Sequence, residues 1–240
     1  MCELCVHILD CRLKNLLYIV LVSLLAGCEI IPAGEQTIPV EGQSSARRHV
    51  LLDFTGFRCV NCPTAAELAQ TLEEAYPDQL YVVALHPASN PFTQGAYDYT
   101  CPAADSIYRL LGGTASTPFP AGNVDMQPYD GSTFANMQEW PTIVYEAMQE
   151  KSMIPTGAKR SYWLVEDSVL GVQAMPDGSI NTQYYHRHML RDVQEKKEDL
   201  RVSDQFNPTQ LRLLTVYTDP NDKHIVQAYE EIFDEFDLPD

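Results

Sequence analysis

The sequence predicts an α/β fold with a β-rich C-terminal part, and three patterns indicate it. Two apolar runs, residues 49–54 and 80–85, are typical of strands that are buried on both faces of a sheet. Apolar residues at helical spacing separate the two runs. From residue 161 onward the period shortens to that of β-strands, with turn residues between them. We therefore expect a βαβ unit followed by a region built mainly of strands.

The βαβ unit spans about residues 49–85. Between its two strands, Asn61 suits the N-cap position of a helix and Pro77 marks the end of that helix. Short connections on both sides of the helix make the two strands parallel and their crossover right-handed. The apolar residues at helical spacing are Ala65, Leu68, Ala69, Leu72 and Tyr76.

The rest of the chain suggests two domains. One helix is predicted near residues 105–111 and another around 141–151, which closes a first domain at residues 49–151. Residues 152–240 form the β-rich C-terminal region. Its predicted strands are residues 161–165, 168–173, 182–188 and 211–218, with a charged helix or loop at 195–199.

Residues 1–27 predict a lipoprotein signal peptide. Residues 16–26 are apolar, but this run is too short to span about 30 Å of bilayer hydrocarbon as a helix. Arg12 and Lys14 precede it as a positive region. The run ends in Leu-Ala-Gly-Cys, which is typical of a lipoprotein cleavage site. We therefore expect Cys28 to carry lipid and to anchor the protein in the outer membrane. An ordinary secretory cleavage is the alternative.

Cleavage leaves a tether and three thiols. Residues 28–48 are rich in Pro, Gly and Ser and have no period, which is typical of a tether. Three of the seven cysteines leave with the signal peptide, so Cys59, Cys62 and Cys101 remain as thiols in an oxidising envelope. The formal net charge of −17 repels nucleic acid and anionic lipid headgroups. We expect no nucleic-acid partner, and contact with the membrane through the lipid anchor.

A Cys-Val-Asn-Cys motif at residues 59–62 carries the chemistry that the sequence suggests. It lies where the first strand gives way to the helix, so that the helix N-terminus stabilises the thiolate of Cys59 and lowers its pKa. Arg58 adds a positive charge. Cys62, three residues on, is within disulfide reach, and we expect Cys59 as an exposed nucleophile with Cys62 as the resolving thiol. An inert disulfide and half of a zinc site are the alternatives, although residues 28–240 contain no second CxxC motif.

The order strand, CxxC, helix, strand and a later proline resembles thioredoxin. By this resemblance Asp53 takes the place of a buried acid that shuttles a proton to Cys62, and the alternative is a strand-end acid turned to water. The resemblance also implies a cis-proline that faces the CxxC motif, and Pro118 and Pro120 compete for this position. The chain departs from thioredoxin at Val60-Asn61, where that family has Gly-Pro, and at Arg58, where it has Trp.

A second resemblance covers most of the mature chain. It is to Bacteroidetes outer-membrane lipoproteins related to outer-membrane protein twenty-eight. It implies a thioredoxin-like domain joined to a β-rich region, an outer-membrane anchor, no settled reaction, and Pro120 as the cis-proline. Met126 stands where that family usually has Arg. The matching pieces are VLLDFTGFRCVNCPTAAE (50–67), PAGNVD (120–125), LVEDSVLGVQ (164–173) and YYHRHMLR (184–191).

Two histidines raise the question of a metal. His186 and His188 alternate on a predicted strand, so both would point to one face. No third ligand is evident, and structural, hydrogen-bonded histidines are the alternative. We predict neither a metal site nor a cofactor.

Two function classes follow from the sequence. In the first, the protein exchanges thiols and disulfides on an envelope protein or peptide, with Cys59, Cys62, Asp53 and Pro120 as its catalytic residues. In the second, it is a non-enzymatic surface or assembly lipoprotein, adhesin-like, in which the CxxC motif is a structural disulfide.

Overall fold

The computed structural model describes residues 47–151 and 153–231. The predicted signal peptide, the lipidation site Cys28 and nearly all of the predicted tether lie outside the described residues. Within the described part of the chain, no helix combines the length and the apolar character that crossing a membrane requires.

The described residues form nine strands and three α-helices. In chain order they are β1 (His49–Phe54), α1 (Cys62–Ala75), β2 (Leu80–Leu85), α2 (Pro102–Leu110), β3 (Ala121–Val124), α3 (Trp140–Ala147), β4 (Lys159–Glu166), β5 (Val169–Ala174), β6 (Ile180–His186), β7 (Met189–Gln194), β8 (Leu211–Thr218) and β9 (Ile225–Glu231).

Seven strands form one mixed sheet in the order β3-β1-β2-β7-β4-β8-β9, while β5 and β6 form a separate hairpin. β1 and β2 pair in parallel, as the βαβ prediction requires. β2 also pairs in parallel with β7 through Ala84 and Met189. Strands from both sides of residue 152, where the sequence suggests a domain boundary, therefore lie in one sheet.

Both faces of β1 and β2 are covered, which explains the two apolar runs. Leu51 and Val82 face α1 and α3 on one side of the sheet, where Trp140 is fully buried. Leu52 and Val83 face the other side, in a cluster that includes residues of α2. Side chains alternate across a strand, so two covered faces require apolar residues at nearly every position.

The structure confirms the predicted fold class, an α/β fold with a thioredoxin-like βαβ core and a β-rich C-terminal part. The strand predicted at residues 182–188 is wrong in its bounds. β6 ends at His186, and β7 begins at Met189. His188 has a φ of 54° in the turn between them, so residues 186–188 are not one extended strand.

Candidate redox site

A disulfide joins Cys59 and Cys62 in the loop between β1 and α1. Their Cα atoms are 5.4 Å apart, within the usual range for a disulfide. Cys62 is the first residue of α1, and Asn61 is its N-cap without a side-chain hydrogen bond. Pro63 lies in the first helical turn, where its missing N–H costs little. The disulfide therefore sits at the strand-to-helix junction that the sequence predicts.

The disulfide is buried, so the prediction of an exposed Cys59 is wrong. Both cysteines are 2% exposed, whereas Arg58 and Val60 beside them are exposed. The Arg58 guanidinium donates to the carbonyl oxygen of Gln94 over 3.3 Å. This burial restricts the access of an attacking thiolate from another protein to the disulfide.

The β5–β6 hairpin is attached to the disulfide loop by hydrogen bonds. The side-chain amide of Gln173 donates to the carbonyl oxygen of Cys59 over 2.9 Å. The backbone N–H of Ala174 donates to the carbonyl oxygen of Phe57 over 2.8 Å. Sequence reasoning missed this contact because the hairpin lies more than a hundred residues further along the chain.

Close packing also fixes the base of the hairpin. The Tyr99 hydroxyl accepts a hydrogen bond from the Val172 N–H over 2.7 Å. Gly171 permits this approach, because a Cβ atom at residue 171 would lie 2.4 Å from the Tyr99 hydroxyl oxygen. The hairpin is thus held both at the disulfide loop and at Tyr99.

A second loop borders the disulfide loop. The Arg58 N–H donates to the carbonyl oxygen of Phe92 over 3.0 Å. A Cβ atom at Gly56 would lie 2.6 Å from that same oxygen. The Thr-Gly-Phe segment before the first cysteine therefore needs its glycine for a close backbone approach.

Pro120 lies at the same end of β1 as the disulfide loop. The Phe119–Pro120 peptide bond is cis, as the resemblance to the lipoprotein family implies. Pro120 directly precedes β3, whose Ala121 pairs with Phe54, the last residue of β1. The disulfide loop leaves β1 from that residue.

Asp53 is buried on the side of the sheet that faces α1, so it is not turned to water. Burial raises the pKa of its carboxyl group to about 7, because the charged form loses its hydration. Asp53 and Cys62 line one cavity of about 20 Å³, where Ala66 and Ala84 contribute small side chains. Asp53, the predicted acid, and Cys62, the predicted resolving cysteine, therefore border the same cavity.

Three histidines line the same cavity. The Nε2 atom of His186 lies 3.3 Å from the Val172 carbonyl oxygen, and burial lowers the pKa of this histidine to about 4. The Nδ1 atom of His188 lies 3.1 Å from an Asp167 carboxylate oxygen. The third histidine, His86, was not selected from the sequence.

The positions of His186 and His188 differ from the predicted ones. His186 ends β6 and His188 lies in the following turn, so the predicted alternation on one strand is wrong. Throughout residues 47–151 and 153–231, no group of three histidine, cysteine or acidic side chains is placed to hold a metal ion.

The third thiol, Cys101, caps α2. Its Sγ atom accepts a hydrogen bond from the Ala104 N–H over 3.4 Å. Burial raises the pKa of the thiol, which disfavours its thiolate form. Cys101 is buried and outside the disulfide.

No family model and no curated protein matches this chain in sequence. Among solved structures, HBP35 of Porphyromonas gingivalis is similar, with a TM-score of 0.58 and 14% identity over 80% of this chain and 77% of that one. A protein from Agrobacterium tumefaciens has a TM-score of 0.44 and 12% identity over 82% of this chain and 99% of its own. At these identities the likeness to HBP35 concerns the fold alone. The chain thus shares an α/β fold with a Bacteroidetes protein and carries a buried CxxC disulfide at its strand-to-helix junction.

Proposed function

We propose that this protein exchanges thiols and disulfides on other envelope proteins through Cys59 and Cys62. The observation that carries the proposal is the cavity that Cys62 shares with the buried acid Asp53. A carboxyl group with a pKa of about 7 accepts and returns protons near neutral pH, as a resolving thiol requires.

The exchange involves two displacement steps. In the reduced protein the Cys59 thiolate attacks a sulfur atom of the partner's disulfide, which forms a mixed disulfide and releases the first partner thiolate. Cys62 then loses its proton to Asp53, and its thiolate attacks Cys59. This step restores the Cys59–Cys62 disulfide and releases the second partner thiolate, which takes a proton from solvent. The partner gains the two electrons that the cysteine pair loses.

Pro120 supplies the place for the partner in this proposal. By resemblance to thioredoxin, the backbone before this proline pairs with an extended peptide that carries the partner's disulfide. Phe119 and the disulfide loop both lie at the end of β1 where Phe54 pairs with Ala121. The partner is therefore an extended or locally unfolded segment of an envelope protein.

Burial of both cysteines makes local opening part of the proposed cycle. The β5–β6 hairpin contacts the sheet through side chains and single backbone bonds rather than through a ladder, so its displacement leaves the seven-stranded sheet intact. Small local openings of this kind cost less free energy than global unfolding.

The proposed location is the outer membrane, with a lipid on Cys28. The positive region, the short apolar run and the Leu-Ala-Gly-Cys sequence support it. The proposed family is that of the Bacteroidetes outer-membrane lipoproteins, and the fold shared with HBP35 agrees with this assignment.

One observation favours the second function class. Both cysteines are 2% exposed, as expected of a disulfide that only holds a loop in place. In this alternative the protein is a non-enzymatic surface or assembly lipoprotein. The cost of losing so short a disulfide loop would then be modest.

Trapping of mixed disulfides separates the two classes. The Cys62→Ala variant of the full chain, expressed in its native envelope, keeps Cys59 and lacks the resolving thiol. Exchange activity would leave partner proteins attached to Cys59 in high-mass bands that a reductant dissolves. The control is the Cys59→Ala, Cys62→Ala double variant, which retains Cys101. Identical band patterns from the two strains would favour the structural class, and insulin reduction by the wild type would favour exchange.

A further inference from the structure

His86 is a buried histidine whose two ring nitrogens have no hydrogen-bond partner among residues 47–151 and 153–231. It follows β2 directly and is 2% exposed. Its ring packs against His186, with centroids 5.6 Å apart, and against Tyr99, with centroids 6.0 Å apart. Buried polar atoms in proteins are nearly always satisfied by a protein group or by ordered water. His86 is therefore an exception that calls for a partner.

Asp53, on the neighbouring strand β1, also has a buried polar atom without a hydrogen-bond partner among the described residues. This atom is Oδ1 of its carboxyl group. Asp53 pairs with Ala84 in the β1–β2 register, and His86 lies two residues beyond Ala84, so Asp53 and His86 face the same side of the sheet. Both side chains line the cavity that also reaches Cys62.

The cavity has the size and the polarity to hold one water molecule. Its volume of about 20 Å³ exceeds the roughly 10–15 Å³ that a water needs. Asp53 offers a carboxylate acceptor, and neutral His86 offers one N–H donor and one acceptor. These groups supply the two to four polar partners that keep a buried water in place.

We propose that His86 is a positioning residue for Asp53: its imidazole hydrogen-bonds through a water in this cavity to the Asp53 carboxylate and so sets the proton affinity of the acid that serves Cys62. The role in catalysis rests on the proposed exchange function. The hydrogen bond itself does not.

The proposed step has a defined proton balance. In the mixed disulfide the Cys62 S–H bond breaks, and its proton passes through the cavity to Asp53. The Cys62 thiolate then forms the bond to Cys59 while the bond between Cys59 and the partner breaks. His86 neither gains nor loses a proton overall. Burial lowers the pKa of His86 well below 6.5, which keeps the ring neutral and able to donate from one nitrogen.

The surroundings of His86 contain both signs of charge. Arg191 and His186 further disfavour a charged His86. The titratable and charged groups that face His86 or line its cavity are Asp53 on β1, Cys62 on α1, Tyr99 in the loop before α2, Tyr184 and His186 on β6, Arg187 and His188 in the next turn, and Arg191 on β7.

Two substitutions test the proposal. His86→Phe keeps a ring and removes every donor, whereas His86→Gln keeps an N–H donor. Because a hydrogen bond to the carboxylate favours its charged form, His86→Phe should raise the Asp53 pKa by about one unit, and His86→Gln should restore most of the shift. The readout is the carboxyl resonance of isotope-labelled Asp53 in the oxidised full chain, with Asp53→Asn to assign the signal.

Insulin reduction is measured separately from the Asp53 pKa. The pH midpoint of insulin reduction should move upward in His86→Phe together with the Asp53 pKa. An unchanged Asp53 pKa in folded His86→Phe overturns the proposal. A shifted pKa with no exchange activity in the wild type would overturn the proposed function and leave the hydrogen bond established.

A measurement on the wild type covers the case in which His86→Phe does not fold. The ¹⁵N resonances of His86 should change as Asp53 titrates and should lose that change in Asp53→Asn. Resonances that stay constant through the Asp53 titration overturn the proposal without any His86 variant.

Discussion

The side-chain amide of Gln173 donates a hydrogen bond to the carbonyl oxygen of Cys59, 114 residues earlier in the chain. The same nitrogen lies 3.4 Å from the carbonyl oxygen of Gly56. One side chain of the β-rich part thus holds two backbone groups of the disulfide loop. We expect access to the disulfide to depend on this contact.

Gln173→Ala should make the disulfide easier to reduce. Loss of the amide removes two hydrogen bonds that tie the hairpin to the disulfide loop, at about 1–3 kcal/mol for the pair, and this favours opening of the hairpin. We expect reduction by dithiothreitol to accelerate by about tenfold or more, measured by trapping free thiols over time. Gln183→Ala is the matched control, because Gln183 is an exposed residue on the same hairpin. Equal rates in both variants would mean that the hairpin does not limit access.

Asp53 should make the stability of the oxidised protein depend on pH. Its pKa is about 7 in the folded state against 3.8 in the unfolded state, so the folded state binds its proton more tightly. Stability is then unaffected below pH 3.8, falls as the pH rises from about 4 to 7, and stays reduced above 7.

The Asp53→Asn variant isolates this effect. Relative to the wild type, its free energy of unfolding should rise by roughly 2–3 kcal/mol between pH 5 and pH 8, at about 1.4 kcal/mol per pKa unit. Urea unfolding of both proteins at the two pH values measures the difference. Parallel pH dependences would contradict a raised pKa for Asp53.

The two thiols should differ in reactivity once the disulfide is reduced. Cys59 lies just before the N-terminus of α1, where free N–H groups stabilise a thiolate and lower the pKa below about 8.5. Cys62 shares its cavity with Asp53, whose negative charge raises a thiol pKa. Iodoacetamide should therefore modify Cys59 faster at neutral pH. Rates are compared in Cys62→Ala and Cys59→Ala, each with Cys101→Ala, and a faster Cys62 would reverse the assigned roles.

Cys28→Ser tests the proposed anchor. The lipid chains on a processed lipoprotein hold it in the membrane, because stable anchoring needs at least two such signals. The wild type should fractionate with the outer membrane, and the variant should be released or should retain its signal peptide. A variant that stays in that fraction at the mass of the wild type would refute lipidation of Cys28.

The local hydrophobic pattern was sufficient to predict the strands in which every residue is buried. β1 and β2 are buried on both faces, and their apolar runs reveal them. β8 occupies the predicted residues, Leu211–Thr218. The pattern failed where buried polar residues have their own partners. In β9, which was not predicted, Gln227 is fully buried and accepts a hydrogen bond from the Arg48 N–H.

The residues of the candidate site also fall into those that the sequence reveals and those that it does not. Motif spacing reveals Cys59 and Cys62, and the resemblance to thioredoxin points to Asp53, which lies six residues before Cys59. Gln173 and His86 reach the site through tertiary contacts, and each is an ordinary polar residue in its local context. No periodicity distinguishes such residues before the fold is known.

The pairing of β2 with β7 has a practical consequence for anyone who divides this chain. A fragment that stops near residue 151 would lack β7 and would leave one edge of β2 open. Every residue of β2 is buried, so that edge would combine unpaired backbone groups with apolar side chains. Edges of this kind recruit strands from other molecules, and we expect such a fragment to aggregate during expression.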